Sequence, residues 1–166
     1  MNMTRKSGAY LPLAAMILTT ALAVPEAARS GVPFRGSIQG QETDVFQGPP
    51  PGTLAVDGRA TGIATHLGRC TFTWQVTVNL ADGSAIGSSQ FIAANGDVLY
   101  ATTVGQGEPT DTPGVSRIVE INTITGGTGR FNLARGSFTV ERLVDLTTGL
   151  TSGAFHGTVT SPGATR

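Results

Sequence analysis

The sequence predicts an all-β protein: a single eight-stranded antiparallel up-and-down barrel. Glycine accounts for 23 of 166 residues and charged residues for only 13%, a composition that favours turn-rich β structure over a helical bundle. Apolar and polar residues alternate with period two along much of the chain, as half-buried strands require. Short turns join the expected strands, and short connections imply antiparallel neighbours.

The first residues have the pattern of a secretory signal peptide. Arg5 and Lys6 precede an apolar run at 11–24 that is short for a membrane span, which needs about 20 apolar residues. Ala21-Leu22-Ala23 fits the small-x-small cleavage pattern. We therefore expect a signal peptide over 1–23, cleaved near Ala23, and a secreted or periplasmic protein. An uncleaved N-terminal anchor is the alternative.

The remaining chain divides into a short linker at 24–33, the barrel at 34–160 and a tail at 161–166. Cleavage would leave nine basic and eleven acidic residues, so there is no positive surplus to neutralise nucleic-acid phosphates. No later segment is long and apolar enough for a membrane-spanning helix, and aromatic girdles typical of outer-membrane barrels do not recur. We expect neither nucleic-acid binding nor an integral membrane protein after cleavage.

Turn signals divide the barrel region into eight strands. Pro49-Pro50-Pro51-Gly52 ends the first strand, and Asp82-Gly83 and Asn95-Gly96 are typical hairpin turns. Gly58 and Gly62 are expected bends or bulges. We expect strands at 34–46, 53–66, 69–81, 85–94, 97–105, 114–125, within 130–146 and at 150–160. Eight strands in about 140 residues suit a closed barrel, and a β-sandwich is the alternative.

The segment Gly126-Gly127-Thr128-Gly129 is the most distinctive in the sequence. Three glycines in four positions allow positive φ between two strands, and Phe131 would then enter the core as a plug. A phosphate-binding loop is disfavoured, because neither Lys-Ser/Thr nor a helical pattern follows.

The run GGTGRFNLARG at 126–136 resembles a segment of the allene oxide cyclase and dirigent barrels. Two further runs, at 64–69 and 93–97, resemble segments of exported bacterial barrels. Together these resemblances cover about 34–160. They imply an eight-stranded antiparallel barrel with a central cavity, and an isomerase or cyclase activity without a cofactor if the protein is an enzyme. In those families polar and acidic residues act within the cavity.

Four charged residues lie within apolar alternation on two strands expected to be neighbours: Arg117, Glu120, Glu141 and Arg142. Both faces of 114–125 mix apolar and charged residues, so one of these charges enters any cavity. A pair formed across the strands could act as acid and base on a small molecule, so these four are the catalytic candidates. The alternative is an exposed cross-strand ion pair.

Trp74, Tyr100 and His66 are candidate ligand-binding side chains. His66 precedes a glycine turn, where its ring could instead bond to nearby backbone. His66 and His156 alone are weak grounds for a metal site, and the single Cys70 excludes a zinc finger. We expect no metal and no cofactor, and we expect any cavity function to depend on the four charges more than on the histidines.

Three functions remain open. The first is a secreted barrel that binds a small apolar or amphipathic ligand, since an eight-stranded barrel holds one small ligand at most. The second is a cyclase or dirigent-type enzyme that positions a hydrophobic precursor. The third is a structural envelope protein with a filled barrel. A homo-oligomer is expected as the assembly.

Overall fold

The computed structural model describes residues 31–160, which form one closed antiparallel barrel in which every strand pairs with its sequence neighbours. The first and last strands also pair, from Val32↔Val159 to Gln41↔Leu150, and this closes the barrel. The predicted barrel is confirmed, and the sandwich alternative is excluded. The strands are β1 Val32–Gln47, β2 Thr53–Ala64, β3 Gly68–Asn79, β4 Ser84–Ala93, β5 Val98–Pro109, β6 Val115–Gly127, β7 Arg135–Asp145 and β8 Leu150–Thr160.

The predicted signal peptide, most of the linker and the C-terminal tail lie outside the described residues. Among residues 31–160, the structure contains no helix long and apolar enough to cross a membrane.

Two details of the strands differ from the prediction. The fifth strand is expected to end at 105, but β5 continues to Pro109 because Gln106, Gly107 and Glu108 pair with β6. Gly58 and Gly62 are not bulges, since the register of β2 is continuous with both neighbours. Gly58 instead lies opposite Trp74, and a Cβ at this position would collide with the indole ring.

One end of the barrel is filled by aromatic side chains. Their rings pack at centroid distances from 4.4 Å, for Phe72–Phe91, to 5.9 Å, for Phe138–Phe155. Phe131, on a single turn of 3-10 helix at Gly129–Phe131, is fully buried and closes this end, as expected of the plug. The aromatic core consists of Phe34, Phe72, Phe91, Phe138 and Phe155.

The glycine-rich loop holds the plug through backbone geometry. Gly129 has φ +52°, and a Cβ there would collide with the Asp97 carboxylate. Thr128 forms two hydrogen bonds with Val98, its Oγ1 accepting from Val98 N and its backbone N donating to Val98 O, each 2.8 Å. The Arg130 Nε lies 3.7 Å from Asp97 Oδ2. These contacts fix the loop against the Asn95-Gly96 hairpin.

Candidate functional site

The opposite end of the barrel contains a cavity of about 240 Å³. Its walls are mostly aliphatic and come from the ends of β2 to β7 and from the turns next to them. Charged side chains lie at its floor and rim. The aliphatic lining is Leu54, Val56, Val76, Val78, Leu80, Ala85, Ile118, Val144 and Leu146.

Three buried charged side chains form the floor of this cavity. Arg142 of β7 donates from Nε to Glu120 Oε2 and from Nη2 to Glu120 Oε1, at 3.2 Å each. Its Nη1 donates to Glu42 Oε2 at 2.6 Å and to Thr151 Oγ1 at 3.3 Å. The side chains of Arg142, Glu120 and Glu42 are only 2%, 2% and 5% exposed. We call Glu42, Glu120 and Arg142 the charged floor.

Trp74 packs beneath the charged floor and is hydrogen-bonded to it. Its Nε1 donates to Glu42 Oε2 at 3.2 Å, and the Arg142 guanidinium lies 4.8 Å from its ring centroid. An indole face attracts a cation, most strongly where water is excluded. Trp74 therefore orients both Glu42 and Arg142 from the aromatic side of the core.

Burial changes the protonation behaviour of the floor. Loss of hydration raises the pKa of Glu42 above its usual range, although the nearby Arg142 opposes the shift. Burial acts to lower the pKa of Arg142, but Glu120 and Glu42 together outweigh it and raise that pKa. The floor thus contains a permanent cation, and Glu42 is a carboxyl group that retains its proton to higher pH than usual.

A second buried polar cluster lies farther inside and has its own partners. Asn122 Oδ1 accepts from Ser89 Oγ and Thr103 Oγ1, at 2.7 Å each, and Asn122 Nδ2 donates to the Glu120 backbone carbonyl at 3.2 Å. These residues do not line the cavity. We interpret them as a structural network that satisfies polar groups within the barrel.

The four catalytic candidates separate into two ion pairs on opposite faces of the sheet. Glu120 and Arg142 point inward and belong to the charged floor. Arg117 and Glu141 point outward and form an exposed pair, with Nη2 to Oε2 at 2.8 Å and side chains 48% and 47% exposed. The buried pair and the exposed alternative therefore coexist on the same two strands.

The three ligand-binding candidates are also dispersed. Trp74 is buried at the floor. Tyr100 is 42% exposed and lies outside the cavity lining. His66 has φ 64° in the β2–β3 turn, and its Nε2 lies 3.1 Å from the Pro33 carbonyl oxygen, the backbone role given above as the alternative. His156 is exposed on β8. No group of three metal-ligating side chains assembles within residues 31–160.

Glu42, at the centre of the charged floor, is not among the residues predicted from the sequence. It lies in a polar strand and is separated from Arg142 by 100 residues. One signal was available: Phe34, Ile38 and Glu42 are all at even positions, so period-two alternation places Glu42 on the same face as the two core residues.

Comparison with protein-family models, curated proteins and solved structures found no significant match in any of the three.

Proposed function

We propose that this protein is a small-ligand-binding barrel that takes one mainly apolar molecule into the cavity above the charged floor. The observation that carries this proposal is the asymmetry of the interior. One end is filled by aromatic rings, while the other leaves about 240 Å³ between aliphatic walls and three buried charged side chains. Apolar cavities with a few polar groups are typical ligand sites.

The cavity volume limits the size of the ligand. An apolar cavity of about 150 Å³ accommodates benzene, so this cavity suits a molecule of roughly six to ten non-hydrogen atoms. A filled structural barrel would not leave such a space, and the cavity therefore disfavours the envelope role.

The single tryptophan provides a direct test. Trp74 is bonded to Glu42, which lines the cavity, so a ligand resting on the floor should change its fluorescence. We expect a saturable change when the purified protein is titrated with hexan-1-ol. A spectrum that stays constant with this alcohol and with the amine and the carboxylate of the same chain length would contradict the proposal.

A cyclase or dirigent-type activity is the second candidate, and Glu42 is the observation that favours it. A carboxyl group with a raised pKa in an apolar cavity can act as a general acid. The GGTGRFNLARG resemblance and the closed barrel support placing the chain with the allene oxide cyclase and dirigent barrels. Turnover of a reactive epoxide that is abolished in Glu42→Gln would establish this activity. Turnover unchanged by that substitution would remove Glu42 from it.

A further inference from the structure

The charges around the cavity are strongly unbalanced. Among the residues that line it, four carry carboxyl groups and one carries a guanidinium. Glu42 and Glu120 lie in the floor, while Asp44 and Glu108 are exposed at the rim. The cavity therefore has a negative potential when these groups are ionised, and apolar walls strengthen that potential by excluding water.

Arg142 does not offer a site for an anion. Its Nε, Nη1 and Nη2 atoms all donate to side chains of the barrel, and its side chain is 2% exposed. A carboxylate or phosphate ligand could form a bidentate pair with it only by displacing Glu42 or Glu120. That displacement would leave a buried carboxylate without its partner, which is strongly unfavourable.

Glu42 has an oxygen available to a ligand. Its Oε2 accepts from both Arg142 and Trp74, whereas Oε1 accepts no hydrogen bond from any side chain or backbone group of residues 31–160. The buried floor holds two carboxylates and one cation, so a second positive charge next to Oε1 would neutralise it. Burial also favours a neutral floor. It raises the pKa of Glu42, so this carboxyl group retains a proton when no other cation is present.

We propose that the ligand is a small apolar ammonium: a protonated amine whose hydrocarbon part fills the aliphatic walls and whose N–H donates to Glu42 Oε1. This inference rests on the proposed ligand-binding function and specifies its chemical class. The rim carboxylates Asp44 and Glu108 attract the cation, and Arg142, already paired with Glu42 and Glu120, offers an anion no bidentate contact. Binding places the ammonium group next to Glu42 Oε1, and the proton that Glu42 held is released to water.

Three probes of one chain length separate charge from shape. Hexylamine, hexan-1-ol and hexanoate are titrated into the purified protein, with Trp74 fluorescence and calorimetry as readouts. We expect the amine to bind about tenfold or more tightly than the alcohol, because the alcohol can also donate to Glu42 Oε1 but brings no positive charge to the floor. Hexanoate should bind most weakly.

Two variants with the same chemical change test whether Glu42 is the carboxylate that binds the ammonium. Glu42→Gln retains the shape of the floor and should reduce amine affinity about tenfold or more, leaving alcohol affinity within about twofold of the wild-type value. Glu141→Gln makes the same change on the outer face, where Glu141 is exposed, and should leave both affinities unchanged. Thermal melting of each variant confirms that it folds.

The pH dependence provides an independent readout. Amine affinity should rise with pH as Glu42 loses its proton, while the amine stays protonated because its pKa resembles that of lysine, about 10.4. Glu120, Arg142, Asp44 and Glu108 also face the cavity, so the Glu42 contribution is the part of this rise that Glu42→Gln removes.

The outcomes distinguish the two proposals. If the alcohol binds as tightly as the amine, or hexanoate binds most tightly, the ammonium inference is wrong and the ligand-binding function stands. If none of the three probes binds, both are wrong. If Glu42→Gln retains full amine affinity, the ammonium does not bind at Glu42.

Discussion

At the scale of single residues, the two ion pairs between β6 and β7 provide a controlled comparison. Glu120–Arg142 and Arg117–Glu141 join the same strands on opposite faces, and only the first is buried. Removing one partner of a buried pair leaves a charge without compensation and costs about 3–5 kcal/mol. Exposed pairs contribute about 0–1 kcal/mol.

We therefore expect Arg142→Gln to lower the free energy of unfolding by about 3–5 kcal/mol and Arg117→Gln by less than about 1 kcal/mol. Urea denaturation of both variants measures the difference. Equal losses would show that Arg142 is not the partner that compensates Glu42 and Glu120 in the folded protein.

Glu42 should also give the stability a characteristic pH dependence. Its pKa is raised in the folded protein, so its favourable contribution is present at low pH and is lost as pH rises through the folded pKa. Relative to Glu42→Gln, the wild-type free energy of unfolding should therefore fall with increasing pH, by at most about 1.4 kcal/mol per unit. Denaturation of both proteins between pH 4 and pH 8 measures this; a wild-type value that stays constant or rises with pH relative to that of Glu42→Gln would contradict the raised pKa.

At the scale of elements, the loop between β6 and β7 determines how the aromatic end closes. Both Gly129 and Gly96 have positive φ, at +52° and +88°, but only at Gly129 would a Cβ meet the Asp97 carboxylate. Gly129→Val should destabilise the protein by about 1–3 kcal/mol or more. Gly96→Val introduces backbone strain without a steric collision, so it should destabilise the protein less than Gly129→Val. Thermal melting compares them, and equal melting temperatures would show that the Asp97 contact is unimportant.

The strands were predictable because their signals are local. Asp82-Gly83 and Asn95-Gly96 identify turns, and alternation such as Phe72-Thr73-Trp74 identifies a strand with one buried face. The orientation of β6 was not predictable in the same way, since Val119 and Ile121 are apolar on the face opposite Ile118. Either face could have been the interior by this criterion.

Only two of the three residues of the charged floor could be predicted from the sequence. Glu120 and Arg142 stand out in the sequence because they interrupt apolar alternation on neighbouring strands. Glu42 lies among polar residues in β1 and joins Arg142 only through closure of the barrel, in which β1 pairs with β8 and β8 with β7. Contacts across 100 residues depend on register around the whole barrel, which short-range patterns do not specify.

At the scale of the whole molecule, export stays a prediction that protein chemistry can test. If residues 1–23 form a signal peptide, N-terminal sequencing of material from the periplasm or culture medium should begin at or near Val24. Intact Met1 in cytosolic material would contradict export. The homo-oligomer also stays a prediction, for which sedimentation velocity of the mature chain is the direct measurement.

The central claim is that the barrel end above the charged floor is a ligand site, and two adjacent positions on β4 test it most directly. Ala85 lines the cavity and is 7% exposed, whereas Ile86 points outward and is 67% exposed. Phenylalanine at 85 should fill the cavity, while phenylalanine at 86 should leave it open. Native mass spectrometry with added hexylamine should detect a one-to-one complex for wild type and Ile86→Phe, and none for folded Ala85→Phe. Equal binding by all three proteins would contradict the claim.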